Sequence, residues 1–410
     1  GTIKSSENYE RRFIMTFPNE TLPKGRKQKT TALYDRFINQ GAVMGDSFGL
    51  ENVLWFANNK EDAYEEPTIK RSRSHNYVSK EVINVRENVG IIEVANFSKH
   101  EFKGPDARKF LDFIMAGRLP KPGRISLSPM LSYRGKLCGD LTIACLDENE
   151  FIVFGSGAAQ EMHRRWFESH LGKFNVNYNN RSDEFHGLSI AGPNSRKVLE
   201  KIVREDISNE KFKFRDSRRM FVGGVPAIVN RISFTGELGY EIYVAPHYQI
   251  KLYEELIQAG KEFTIKPFGG RALMSMRLEK NWGAWTLDYR PDFTAKETGL
   301  DTFINWNKDF IGKENAQKDN STNKIVPLIV ETNEIDVTNN EAVVNGIESI
   351  GYVTSGGFAH YVNKSVAFTF LDQNKINYDN KIQIEINGDL FNCSLIKDSL
   401  YDPTGQKMRS

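Results

Sequence analysis

The segment Arg231-Ile232-Ser233-Phe234-Thr235-Gly236-Glu237-Leu238-Gly239-Tyr240-Glu241-Ile242-Tyr243-Val244 constrains the fold more than any other stretch. Apolar residues flank a Thr-Gly-Glu-Leu-Gly turn, a pattern that reads as strand, tight turn, strand. Glycine at such a turn lets backbone and ligand approach closely, because no side chain stands between them. Past the turn, the two-residue period of a strand puts Tyr240, Ile242 and Val244 on one face and Glu241 and Tyr243 on the other. A glutamate flanked by apolar residues either looks into solvent or makes a polar contact inside a pocket. Pattern alone favours the solvent-facing reading.

The whole chain sets wide bounds. Its 410 residues leave room for two or three domains with proper cores. A hydrophobic content of 39% with 26% charged residues fits a soluble globular protein. The net charge of +2 argues against a dedicated nucleic-acid binder. Cys138, Cys145 and Cys393 have no metal-ligand spacing and read as reduced, buried thiols of a reducing compartment, which points to the cytoplasm. No apolar run is long enough to cross a bilayer and no secretory signal is visible, so no membrane association is expected. The chain opens at Gly1, so a processed, truncated or tagged piece of something longer is expected.

Residues 1–76 read as an N-terminal extension and linker. Lys24 to Lys29 forms a basic solvated loop, and Lys70-Arg71-Ser72-Arg73 a second solvated charge run. Apolar spacing predicts a helix over Tyr77–Asn88, a strand over Gly90–Phe97 and a helix over Ala107–Met115 with Pro105 near its first turn. Strand patterns follow at Ile125–Leu131, Leu137–Ala144, Phe151–Gly157 and His186–Pro193, with helices over Ala158–Leu171, Tyr248–Gly260 and Gly270–Lys280. That texture is α+β rather than a regular βαβα repeat, and it extends over 77–318. Gly155-Ser156-Gly157 lacks the spacing of a dinucleotide fingerprint. After the polar junction Lys318–Lys324, short strands at 325–331, 341–344, 349–354, 365–371 and 381–386 predict a small C-terminal β-barrel over 319–410.

Two runs carry a resemblance. The Arg231–Val244 segment resembles the signature of the aminomethyltransferase (glycine-cleavage T-protein) family, which binds tetrahydrofolate. Tyr34-Asp35-Arg36, followed by Gly41-Ala42-Val43-Met44-Gly45-Asp46-Ser47-Phe48-Gly49-Leu50-Glu51-Asn52-Val53-Leu54-Trp55-Phe56-Ala57, resembles the folate half of dimethylglycine and sarcosine dehydrogenases. The similarity runs over nearly the whole chain, with the motifs in the family's order. It implies a multidomain folate-binding body with the barrel docked on it and the ligand in the central gap.

Read from pattern alone, Asp140 is either a turn cap or a buried carboxylate that needs partners, without which its pKa rises. The resemblance makes it the catalytic residue, with Thr142 two positions on along the same side of the strand. A carboxylate beside the reactive folate amines can orient the cofactor and stabilise positive charge on an iminium. The resemblance assigns Glu241 to the pterin ring, whose adjacent N–H donors suit a carboxylate edge. Tyr240 is counted with it among the cofactor-binding residues. Phe234 stands where the family often has tyrosine, keeping the ring contact without the hydroxyl. Leu273 stands where the T-proteins have an arginine for the folate tail, and Arg271 is the stand-in, with a surface arginine as the alternative. Arg290, in a loop, meets either an anionic substrate or solvent. No metal site is expected.

The resemblance implies tetrahydrofolate-dependent one-carbon transfer from a methylated amine of the dimethylglycine or sarcosine type, giving methylenetetrahydrofolate. An FAD-containing dehydrogenase domain or subunit would perform the oxidation, since the chain lacks an FAD fingerprint. A self-contained methyltransferase acting on an onium or methoxy donor is one alternative. A non-catalytic folate-binding protein is the other.

Overall fold

The computed structural model describes residues 1–14, 16–377 and 379–410. Strands β1 (Ala42–Ser47) and β2 (Leu50–Phe56) pair as a hairpin. They are followed by β3 (Val89–Glu93), β4 (Phe97–Lys103), β5 (Arg124–Leu131), β6 (Leu137–Asp147) and β7 (Glu150–Ser156). Next come β8 (Asn177–Asn180), β9 (His186–Ala191), β10 (Ser217–Val222), β11 (Val225–Asn230), β12 (Gly239–Val244) and β13 (Ile265–Pro267). One sheet orders β10-β11-β12-β9-β3-β13 and the other β5-β6-β7-β4-β8. Pairing is antiparallel except between β3 and β13.

Alternation sorts each strand between two cores. On β12, Tyr240, Ile242 and Val244 pack outward against Leu252, Tyr253 and Leu256 of the helix Gln249–Gly260. On β6, Leu141, Ile143 and Cys145 pack against Phe110, Leu111 and Ile114 of the helix Ala107–Ile114. The remaining faces meet between the sheets. There Ala144, Ile152 and Phe154 join Ile92, Ala191, Ile228 and Tyr243. Each fully buried apolar side chain of this kind contributes roughly 1.5–3 kcal/mol, so the space between the sheets closes wherever no polar group interrupts it.

Two strand expectations need correction. The stretch Gly90–Phe97 is two strands in different sheets, with Val94–Asn96 carrying the chain across. The Val94 amide still donates to Gly187, and beyond it the wholly buried Lys99 ammonium donates to the Ala95 carbonyl at 2.8 Å. Second, Arg231–Phe234 is no strand: β11 ends at Asn230, and Arg231–Leu238 forms the connection to β12. The Arg231 amide and carbonyl pair with Asp216 and Arg215, while its buried guanidinium donates to Asn209 at 2.7 Å and to the Phe212 carbonyl. Those backbone bonds continue the β10 edge of β11, whereas pairing with β12 ends at Asn230 opposite Glu241.

The first 76 residues are less detached than expected. A helix spans Thr2–Glu10, and Leu33, Phe37 and Ala42 lie in the outer core. Val43, Trp55 and Ala57 lie in the core between the sheets. The basic run is not simply solvated, because Arg26 Nε donates to the buried Glu51 at 3.0 Å. In the second run, Arg71 pairs with Asp336 at 2.9 Å and its guanidinium stacks over Phe358.

The C-terminal strands are β14 (Asn323–Val330), β15 (Ala342–Asn345), β16 (Glu348–Ala359), β17 (Lys364–Asp372), β18 (Ile382–Ile386) and β19 (Asp389–Leu395). They close into a barrel in the order β14-β17-β16-β15-β18-β19. Strand β19 is absent from the pattern-based reading. Asn387 and Gly388, with φ of 52° and 90°, form the two-residue turn before it, which suits the twist of a hairpin. The barrel docks through a buried cluster: Arg277 pairs with Asp288 at 2.7 Å, and Asp288 accepts from Thr354 (2.6 Å) and Ser355 (2.7 Å) of β16. No helix among the described residues is long and apolar enough to cross a membrane.

Candidate functional site

Where the turn before β12 meets the ends of β3 and β9, the inter-sheet core opens into a small, tight cleft. Val94, Phe97, Ser189, Phe234, Glu241 and Leu273 are among its walls. The turn is held from behind. Gly236 adopts a φ of 87°, which glycine tolerates without strain. Glu237 points away from the pocket and accepts from Arg86 Nη1 at 2.9 Å and from the Tyr401 hydroxyl. Arg86 also donates to Glu279 at 2.6 Å and to the Thr235 carbonyl at 2.7 Å, with its guanidinium 3.7 Å from the Tyr401 ring centre. The sequence reading missed this cluster. A signal existed, because Arg86 lies four residues after Val82 and so continues the apolar stripe of its helix.

Glu241 does not face solvent: it is 9% exposed and looks into the pocket. The Tyr243 hydroxyl donates to its Oε2 at 2.7 Å, and no donor among the described residues bonds Oε1. Burial pushes the carboxyl up to about 7, against the Tyr243 hydrogen bond and the charge of Lys99. Lys99 is drawn down to about 7 by the same desolvation, with Asp183, Glu93 and Glu241 opposing. Phe234 and Glu241 both line this one pocket.

Asp140 and Thr142 occupy the face of β6 that also carries Ala144 into the inter-sheet core. Thr142 is in register with Phe154 of β7, whose ring lies 4.7 Å from Tyr243. Asp140 is one step further along that face, half-buried, and burial pushes it up to about 7. No side-chain donor among the described residues offsets that cost. The nearby Tyr289 phenol is raised by burial first and by the charges of Asp140 and Asp288 next.

Two of the residues expected to contact the cofactor lie outside this pocket. Tyr240 is on the opposite face of β12, wholly buried, stacked on Phe212 and accepting from Arg196 at 3.2 Å. It cannot reach the pocket without reversing the strand. Arg271 turns toward residues 65–74, pairing with Glu65 at 3.0 Å and donating to Ser74 at 2.7 Å, while Leu273 lines the pocket. Arg290 is tied to Asp292 at 3.2 Å and to the Tyr352 hydroxyl at 2.5 Å. No group of three or more His, Cys, Asp or Glu among the described residues could hold a metal.

Comparison with known proteins places this geometry. The profile of the GCVT N-terminal domain matches residues 33–308, and that of the glycine cleavage T-protein C-terminal barrel domain matches 323–402. The chain belongs to the glycine-cleavage T-protein family. It is 32% identical over 406 residues to a mitochondrial dimethylglycine dehydrogenase of Mus musculus, covering 97% of this chain and 46% of the relative. It is 28% identical to an aminomethyltransferase of Thermoanaerobacter pseudethanolicus, covering 79% and 89%. The chain thus spans about half the length of the dehydrogenases it matches. The glycine cleavage system aminomethyltransferase T of Bartonella henselae shares the fold, with a TM-score of 0.79 at 21% identity over 92% of this chain and 99% of that one. Aminomethyltransferases of the T-protein family are tetrahydrofolate-dependent enzymes.

Proposed function

We propose that this chain passes a one-carbon unit from a methylated amine of the dimethylglycine or sarcosine type to tetrahydrofolate, with the amine oxidised by an FAD-containing domain or subunit. The observation that carries the reading is Glu241, a nearly buried carboxylate beside the Phe234 ring, with one oxygen held by Tyr243 and the other lacking a donor among the described residues. That arrangement fits a flat heterocycle with adjacent N–H groups: the carboxylate accepts from the ring edge and the aromatic wall covers its face. When bound, tetrahydrofolate supplies the amine nitrogens that accept the one-carbon unit.

The chain's own residues orient and stabilise. Glu241 and Phe234 hold the ring, and the β6 face directs Asp140 and Thr142 into the space between the sheets. An ionised Asp140 favours positive charge on the incoming one-carbon donor, and the poorly hydrated site strengthens that attraction. The 32% identity to a dimethylglycine dehydrogenase supports the amine class. The test is methylenetetrahydrofolate formation from dimethylglycine and from sarcosine, with and without the FAD-containing part. Product is expected only when oxidation is supplied. Transfer from either amine without an oxidant would overturn the proposal.

A further inference from the structure

The position of Tyr243 is built from several sides. Its partner in register on β9 is Gly187, where a Cβ would come within 2.6 Å of the Tyr243 ring. The ring therefore lies across a strand position that only glycine leaves open. Phe154 of the opposite sheet covers it at 4.7 Å between ring centres. The Lys99 ammonium, sealed from water, stands 5.8 Å from the ring centre. When protonated, that ammonium is attracted by the ring face and adds to the contacts that hold the ring. Burial, and then the Glu241 charge, raise the phenol well above its usual range, so it stays protonated and donating. Phe234 has no hydroxyl, so the phenol that reaches the pocket carboxylate comes from behind it.

We infer that Tyr243 is a positioning residue for the cofactor: its hydroxyl clamps Glu241 in one orientation, keeping Oε1 ready for the ring-edge donors of tetrahydrofolate. This rests on the proposed function, because Tyr243 acts only through Glu241. An acceptor already fixed before binding loses less freedom when the ligand arrives. Gly187, Phe154 and Lys99 fix the ring, and the ring fixes the carboxylate.

The test is a double-mutant cycle in the full-length natural protein, reading tetrahydrofolate Kd by calorimetry together with KM and kcat. Tyr243→Phe should weaken folate binding about tenfold and raise KM in step, while kcat stays within about twofold, as expected for one lost hydrogen bond used in binding. In a Glu241→Gln background the same change should add less than about twofold, since its effect travels through the carboxylate. Unchanged affinity in Tyr243→Phe, or a full tenfold loss that persists in the Glu241→Gln background, overturns the inference. Unchanged affinity in Glu241→Gln alone instead sinks the folate assignment, a separate failure. If Tyr243→Phe does not fold, fluorinated tyrosines at position 243 keep ring and hydroxyl while making the phenol more acidic. Folate Kd should then shift at least about threefold across the series, and a flat series overturns the inference.

Discussion

Glu237 and Glu241 sit four residues apart, on either side of the same glycine, and are 1% and 9% exposed. Their surroundings could hardly differ more. Glu237 faces a guanidinium and a phenol, so its charge is matched inside the protein. Glu241 faces one phenol and a small cleft, so among the described residues it bears the cost of desolvation without a bonded cation. A buried carboxylate that is fully satisfied anchors the chain, whereas one left partly satisfied stores an unmet demand for donors. The first fixes the turn, and the second is where a ligand completes the structure.

The sharpest way to break this contrast is at the anchor. Arg86→Met removes the cation shared by Glu237 and Glu279 and leaves two buried carboxylates unpaired. Such a loss typically costs about 3–5 kcal/mol, which urea unfolding would report as a large drop in midpoint. A variant as stable as the wild type would mean that the cluster is not an anchor. Folate affinity of whatever fraction remains folded should fall as well, because the turn carrying Phe234 is then untethered.

Asp140 belongs with Glu241 as a carboxylate lacking a bonded cation among the described residues, but its service is expected in turnover. Asp140→Asn should lower the maximal rate of methylenetetrahydrofolate formation by roughly a hundredfold or more, while folate Kd changes little. The isosteric amide keeps the packing, which thermal unfolding checks. Near-normal turnover in a folded variant would reduce Asp140 to a structural strand residue.

Glu241→Gln probes the other side of the comparison. Folate affinity should fall by about 2–3 kcal/mol, the usual worth of a charged hydrogen bond, with calorimetry as the readout. Stability should respond oppositely to pH. Burial raises the folded carboxyl from 4.5 to about 7, so the native state holds this proton more tightly than the unfolded chain in that window. Its contribution is therefore greatest below about pH 4.5 and is lost as pH rises toward 7. Urea midpoints at pH 5 and pH 7.5 should differ less in the variant than in the wild type, and an equal difference would contradict the unmet-demand picture.

The smallest effect is expected from Tyr401→Phe. It removes one donor from Glu237 but keeps the ring beneath Arg86, so the loss should be about 1 kcal/mol in stability with folate Kd unchanged. A change in Kd would show that the anchor and the pocket are coupled more tightly than their separate partners suggest.

Much of this was legible in the chain itself. Strand alternation put Glu241 with Tyr243 and set Tyr240 opposite, so the place of Tyr240 on the other face was legible from the period of two alone. Asn387-Gly388 announced a hairpin turn and therefore β19. The β4 residues Lys99, His100 and Glu101 gave no such signal. They are polar yet buried, because the facing sheet covers Lys99, the helix Gln160–Leu171 covers His100 and the β8 edge pairs alongside. The direction of Arg271 was illegible for a similar reason: helix spacing limits where its Cα lies, but Glu65 and Ser74, distant in sequence, decide where its guanidinium goes.

By itself, then, the sequence determined local periods: which residues share a strand face, where glycine permits a turn, and which short strands build a barrel. Those follow from backbone geometry, which repeats every two or 3.6 residues wherever it occurs. Only the tertiary structure decided that Glu241 is buried rather than wet, that Arg231 leaves the β12 ladder, and that Glu237 anchors while Glu241 waits. Each of these depends on residues tens to hundreds of positions away. The cost of burying a charge is set by what lies within a few ångströms, whatever its distance along the chain.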